Sequence, residues 1–216
     1  MRDAGSASAA FLLAAIVAAL ASGSAGAADA KPYRIAGAEP TETKEWRPVD
    51  VLELSRNGVR CEMRYLDPEA RRSTLRSSLG TTLDLFPGRT GEKETERSGY
   101  LVFVLQINND STERVEFNPG QVRLATEKGD MKFALDYSAV YERLQAAGPD
   151  APDVNEVAKV VFERTITIVP GGSARKLLVF DAPREDKYKT LAVRVLELNV
   201  GTEGVDFTFP FRKFFE

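Results

Sequence analysis

Tyr100-Leu101-Val102-Phe103-Val104-Leu105-Gln106-Ile107 is apolar on both sides of an extended chain. Successive strand residues point to opposite faces, so Leu101, Phe103, Leu105 and Ile107 share one side and Tyr100, Val102 and Val104 the other. A strand with one wet face alternates apolar with polar residues. This one requires cover on both faces, which makes it a central strand with a further layer on each side. Helices expected elsewhere in the chain are the natural second cover.

Upstream, Val49–Ser55 and Val59–Tyr65 flank Arg56-Asn57-Gly58. Asn-Gly between two alternating runs is a hairpin signal, because both residues accept the positive φ of a tight turn. In the second run Val59, Cys61, Met63 and Tyr65 point one way, and Arg60, Glu62 and Arg64 the other. Asp67-Pro68-Glu69 then opens a helix: an N-cap, a proline at the first position and an acid in the first turn. It is expected to reach Leu79, with Gly80 as its left-handed stop. Gly88–Gly99, charged and bounded by glycines, reads as a mobile loop.

Downstream, Asn108-Asn109-Asp110-Ser111 is a turn, followed by short strands at Val115–Phe117, Val122–Ala125 and Met131–Leu135. Ala139–Ala147 reads as a helix with Val140 and Leu144 inward, and Gly148-Pro149-Asp150-Ala151-Pro152 breaks it. Asp153-x-x-Glu156 starts a second helix in the manner of a capping box. Strands return at Thr165–Val169, Arg175–Asp181 and Leu191–Val200. In the last of these the apolar set changes face, which predicts a bulge near Val195. The final strand is Val205–Phe211, where Pro210 argues for an edge or a strand end. About eight or nine short strands with turn signals between them indicate a β-sandwich. The expected fold is therefore mainly β: an immunoglobulin-like β-sandwich over 47–216, with a short helical insertion at 139–163.

Val102–Leu135 (VFVLQINNDSTERVEFNPGQVRLATEKGDMKFAL) and Ile166–Pro183 (ITIVPGGSARKLLVFDAP) resemble the immunoglobulin-like accessory modules of bacterial exported proteins, of the immunoprotective-extracellular and LEA-like kind. The resemblance implies a binding or spacing role and no catalytic residues. The helices at 139–163 depart from the simple module.

The N-terminus carries an address. Ala9–Ala21 is apolar and uncharged, shorter than the ~20 residues that span a bilayer. Ala25-x-Ala27 follows, a small-residue cleavage pattern, so 1–27 is expected to be a secretory signal peptide. The polar stretch 28–46, with Pro32 and Pro40, reads as a loosely ordered lead-in to the domain. A periplasmic or secreted protein is expected, with no transmembrane segment once the signal is removed.

Composition excludes chemistries. The 216 residues carry a net charge of −3, far from the basic balance of a nucleic-acid binder. There is no histidine, which removes His-based triads and ordinary zinc sites. Cys61 is the sole cysteine, so no internal disulfide forms. It is either a reactive thiol or a small buried apolar residue beside Val59 and Met63. Asn108, Asn109, Asp110 and Glu113 offer oxygens for calcium, but lack the spacing of a calcium loop and read as a plain turn. No phosphate-binding glycine loop is present, and no cofactor is expected.

Partner contacts are sought where the pattern leaves side chains over. Phe207, Phe209 and Phe211 share an inward face, while Phe214 and Phe215 fall beyond it and form a candidate exposed aromatic patch. Arg71, Arg72 and Arg76 on the first helix are candidates for an anionic partner, against the plainer reading of a solvated face. The expected function is a non-catalytic binding or assembly module of the cell envelope, contacting another protein. The alternatives are a hydrolase of envelope polysaccharide using a carboxylate pair, and a small-ligand carrier with a cavity beneath the 139–163 helices.

Overall fold

A computed structural model describes residues 33–41, 45–86, 99–148, 152–183 and 188–215. The expected signal peptide, the bulk of the 88–99 loop and part of the 148–152 break lie outside the described residues. In chain order the elements are β1 (Tyr33–Pro40), β2 (Trp46–Val49), β3 (Leu52–Arg56), β4 (Val59–Leu66), α1 (Pro68–Leu79), β5 (Tyr100–Asn109), β6 (Val115–Phe117), β7 (Val122–Thr126), β8 (Met131–Phe133), α2 (Tyr137–Ala147), α3 (Val154–Val160), β9 (Ile166–Ile168), β10 (Ser173–Asp181), β11 (Thr190–Val200) and β12 (Glu203–Phe215).

Two antiparallel sheets make a β-sandwich. One has the order β10-β5-β4-β3; the other runs β2-β1-β12-β11, with β6 and β7 sharing the far side of β11, β9 beyond β6 and β8 beyond β7. β5 is internal to its sheet, and its two apolar faces enter different cores. Phe103, Leu105 and Ile107 pack between the sheets with Phe180, Phe207, Phe209 and Phe211. Tyr100 and Val102 pack beneath the helices with Leu75, Val140, Leu144 and Val157. The Phe103 ring meets Phe211 edge-on at 4.9 Å and Phe180 at 5.8 Å. Such aromatic pairs add about 0.5–1.5 kcal/mol each to the burial of their area.

Local signals set the helices and the hairpin. Asp67 accepts from the amides of Glu69 and Ala70, and Gly80 closes α1 at φ 65°. Asp136 and Asp153 cap α2 and α3 in the same way. Asn57 and Gly58 take φ values of 48° and 72°, the turn their identities imply. The bulge lies between Val195 and Leu198 of β11, with Glu197 at φ 51°.

Two expectations are corrected. Residues 28–46 are not wholly a loose lead-in, because Tyr33–Pro40 is a strand paired with both β12 and β2. It lacks large alternating residues: Ala36, Gly37 and Ala38 are buried in succession under neighbouring chains. β12 is likewise not an edge, since it lies between β1 and β11. Pro210 pairs with Ala192 of β11, and the ladder to β1 ends at Phe211. Pro210 therefore sits where one flank has no ladder to interrupt.

Among the described residues no helix is long and apolar enough to cross a membrane.

Candidate functional site

Arg71 is not available to a partner. Its helix turns it inward, where it is 2% exposed and grips Asp84 in the segment after α1. Arg72 and Arg76 remain on the outer side of α1 and are exposed. The three arginines thus do not form one basic face. A helix places residues five apart well round its circumference from a buried position, and Leu75 follows Arg71 into the core at the i+4 spacing.

Phe214 and Phe215 also fail to form one patch. They continue β12, opposite Arg34 and Tyr33 of β1. Adjacent strand residues face opposite ways. Phe215 is exposed and rests its ring 5.9 Å from Tyr33, while Phe214 is half-buried on the other face.

The remaining candidates resolve into structural roles. Cys61 is buried in the inter-sheet core, and burial pushes its thiol up to about 12, the opposite of what a nucleophile needs. Asn109 is buried and its side chain is saturated: Nδ2 donates to the carbonyls of Glu113 and Ile168, and Oδ1 accepts from Ser111 N–H and Oγ. Asn108 and Asn109 end β5, so the turn begins only at Asp110, held by the Asn109 side chain on Ser111. Among the described residues no group of three metal-ligating side chains assembles. For the hydrolase reading, Glu127 is the carboxyl with a clear shift among the described residues. Burial pushes it up, but the amides of Lys189 and Thr190 outweigh this and hold it below its ordinary range. An ionised carboxylate suits the base or nucleophile of such a pair and not its general acid.

The surface feature that does emerge lies between β8 and α2. Met131, Phe133, Tyr137 and Tyr141 are each 41–55% exposed. Tyr137 and Tyr141, one helical turn apart, stack with ring centres 6.3 Å apart and planes 12° from parallel. The Arg164 guanidinium lies 5.7 Å over Tyr137 and is held there by buried Glu163, whose Oε1 takes the Nε–H at 2.6 Å. Arg123 of β7 lies 5.2 Å over Phe133. The segment rounds the flank of the sandwich, because Ala134 bridges to Phe180 of β10 in the opposite sheet. The sequence held a signal for it. With Val140 and Leu144 inward, Tyr137 and Tyr141 recur at the i, i+4 spacing of a separate stripe, and Met131 and Phe133 alternate with Lys132.

No protein-family model matches the sequence, and no curated protein matches it. Solved structures do. The yjhA protein from Bacillus subtilis matches at 11% identity and a TM-score of 0.39, over 73% of this chain and 93% of its own. A conserved hypothetical protein from Bacillus anthracis matches at 12% and 0.37, over 84% of this chain and 98% of its own. The secreted protein MPT63 from Mycobacterium tuberculosis matches at 13% and 0.30, over 72% of this chain and 88% of its own. Likeness at these levels transfers no ligand, partner or activity. The resemblance noted in the sequence stays as coarse as a β-sandwich.

Proposed function

We propose that this protein is an exported, non-catalytic binding module of the cell envelope, and that it engages another protein through the segment Met131–Tyr141. One observation carries the reading. Eight large hydrophobic residues are exposed among the described residues, and four of them fall within these eleven positions. Scattered exposed apolar residues are ordinary, whereas a concentration of them marks a contact surface. Tyrosine is over-represented at the energetic centres of interfaces, since it offers a large rigid area with a polar tip. Export rests on the apolar stretch Ala9–Ala21 followed by Ala25-x-Ala27.

The test is site-specific photocrosslinking in cells producing the full chain. A photoreactive residue replaces Phe133, Tyr137 or Tyr141 in turn, with Ser78 on exposed α1 as the control position. A single discrete adduct of the same mass at the three test positions, absent at Ser78, is the expected result. No adduct, or equal adducts at all four positions, would overturn the reading.

A further inference from the structure

Among the described residues the helices pack on the smaller sheet, and Met131 and Phe133 belong to a different face. They stand opposite Ala125 and Arg123 of β7, whose neighbours Val122 and Leu124 point into the inter-sheet core. They therefore lie on the outer face of the larger sheet. The strand register lays out the rest of that face. Arg123 is directly opposite Arg194 of β11, and Arg194 is opposite Thr208 of β12. Arg212 lies further along β12, opposite Ala36, and Arg34 follows opposite Phe214. All belong to the outward set, since Phe207, Phe209, Phe211 and Val193 are inward.

Two like charges directly opposite each other on neighbouring strands repel, and folding alone gives no reason to place them so. Among the described residues no carboxylate lies within ion-pair distance of Arg34, Arg123, Arg194 or Arg212. Among the described residues, Asp206 of β12 and Glu127 after β7 both have their carboxylates engaged by backbone. Asp206 Oδ1 accepts the Glu197 N–H at 2.8 Å. Glu127 accepts from the amides of Lys189 and Thr190. Arg123 in addition buries an Nε–H that finds no acceptor, and its guanidinium is fixed over Phe133. Arg212 is fixed similarly, 5.5 Å over Trp46. The floor beside Arg123 and Arg194 includes the small side chains Ala125 and Ala192, so a partner can approach these guanidinium groups closely.

We infer that the outer face of the larger sheet receives an acidic protein surface, whose carboxylates pair with Arg123 and Arg194 while its apolar rim meets Met131 and Phe133. This rests on the binding-module reading and specifies the partner's chemistry. Planar guanidinium groups held in place suit carboxylates, which they bind through two parallel hydrogen bonds. Charge complementarity of this kind steers association and weakens as salt rises.

The test uses the full chain and poly-L-glutamate as the acidic polypeptide, with vesicles of phosphatidylcholine and phosphatidylglycerol (3:1) and heparin as competing anions. Poly-L-glutamate is expected to bind at low ionic strength, with affinity falling at least tenfold by physiological salt. Amide resonances of Ala125, Ala192 and Thr208 are expected to shift on binding. The variant R123Q/R194Q is expected to lose at least tenfold in affinity. R194Q alone is expected to keep or raise the thermal midpoint, because it removes a repulsion. Binding that is unchanged in R123Q/R194Q, or shifts confined to other surfaces, would overturn the inference. So would tighter binding of vesicles or heparin than of the polypeptide. The two readings separate in the crosslinking experiment. Adducts at Tyr137 and Tyr141 that persist at full yield in R123Q/R194Q would remove the acidic-face inference and leave the segment reading standing. Absence of adducts in both proteins would remove the segment reading itself.

Discussion

Arg71 and Asp84 close a two-pronged pair beneath α1: Arg71 Nε donates to Oδ1 at 3.0 Å and Nη2 to Oδ2 at 2.6 Å. This bond ties the helix to the segment that follows it, where Leu85 and Phe86 enter the core under the helices. A buried cation requires its partner, and removing one member leaves the other uncompensated. Asp84 retains access to water, with its side chain 22% exposed, so the loss is smaller than for a fully enclosed pair. R71A is expected to lower stability by about 2–3 kcal/mol in urea unfolding. The double variant R71M/D84L is expected to recover most of it. A single variant as stable as the parent would show that the pair contributes nothing.

Cys61 gives a pH-dependent prediction with a definite sign. Its ordinary value near 9 is pushed up to about 12 by burial. The unfolded chain therefore releases the thiol proton at lower pH than the folded one. Between pH 9 and 12 the unfolded state binds fewer protons, so stability falls as pH rises through that window. Below pH 9 the contribution is fully present. The stability difference between the parent and C61A is expected to shrink progressively from pH 9 upward. Burial also raises Tyr65 to about 12, but that change is common to both proteins and cancels. At pH 8 the native thiol is expected to resist iodoacetamide and to react once urea unfolds the chain.

Asn109 separates a structural turn from a calcium site. Its backbone also bonds on both sides, with its N–H donating to Gly172 O at 2.9 Å and its carbonyl accepting from Gly171 at 2.8 Å. N109A would remove the side-chain partner of the Ile168 carbonyl and the Ser111 amide, while the Glu113 carbonyl keeps the Ser111 hydroxyl. Each buried polar group left unmet costs about 1–3 kcal/mol. The expected loss is about 2–4 kcal/mol, allowing for water reaching the Glu113 end. Millimolar calcium is expected to leave the thermal midpoint of the parent unchanged within about 1 °C, since a ligand shifts stability only when the folded state binds it. A rise of several degrees would restore the metal reading.

What the chain discloses about its fold depends on whether the signal is local. The caps of α1, Asp67 with Pro68 and then Gly80, act within one turn, and the helix runs as they indicate. The two-faced strand Tyr100–Asn109 announces a covered sheet because its own side chains state both burials. β1 is silent for the opposite reason: Gly37 is buried against Val49 and Leu52, and Ala36 and Ala38 on either side of it are buried with no bulk of their own. The candidate site was less legible than the fold. Phe214 and Phe215 were conspicuous as a pair of aromatics, yet strand pairing with Tyr33 and Arg34 separated them. Arg123 and Arg194 lie far apart in sequence and become opposite only through the β7–β11 register. Exposure and cross-strand charge are tertiary properties, and no short window contains them.

Gly37 tests the silent strand directly. A Cβ built there would lie 2.8 Å from Leu52 Cγ, 2.9 Å from Val49 Cγ2 and 3.0 Å from the Val49 carbonyl. The carbonyl belongs to the paired strand β2 and cannot move without breaking the ladder at Gly37–Val49. Overpacking of this kind costs about 1–3 kcal/mol. G37A is expected to lose that amount, and G37V is expected to detach β1 and β2 from β12, seen as faster amide exchange in Ile35 and Ala36. Gly204 supplies the contrast, since its added Cβ would find nothing nearer than 3.9 Å. G204A is expected to stay within about 0.5 kcal/mol of the parent. Equal stability of G37A and G204A would mean that β1 does not pack against β2 and β3 as described.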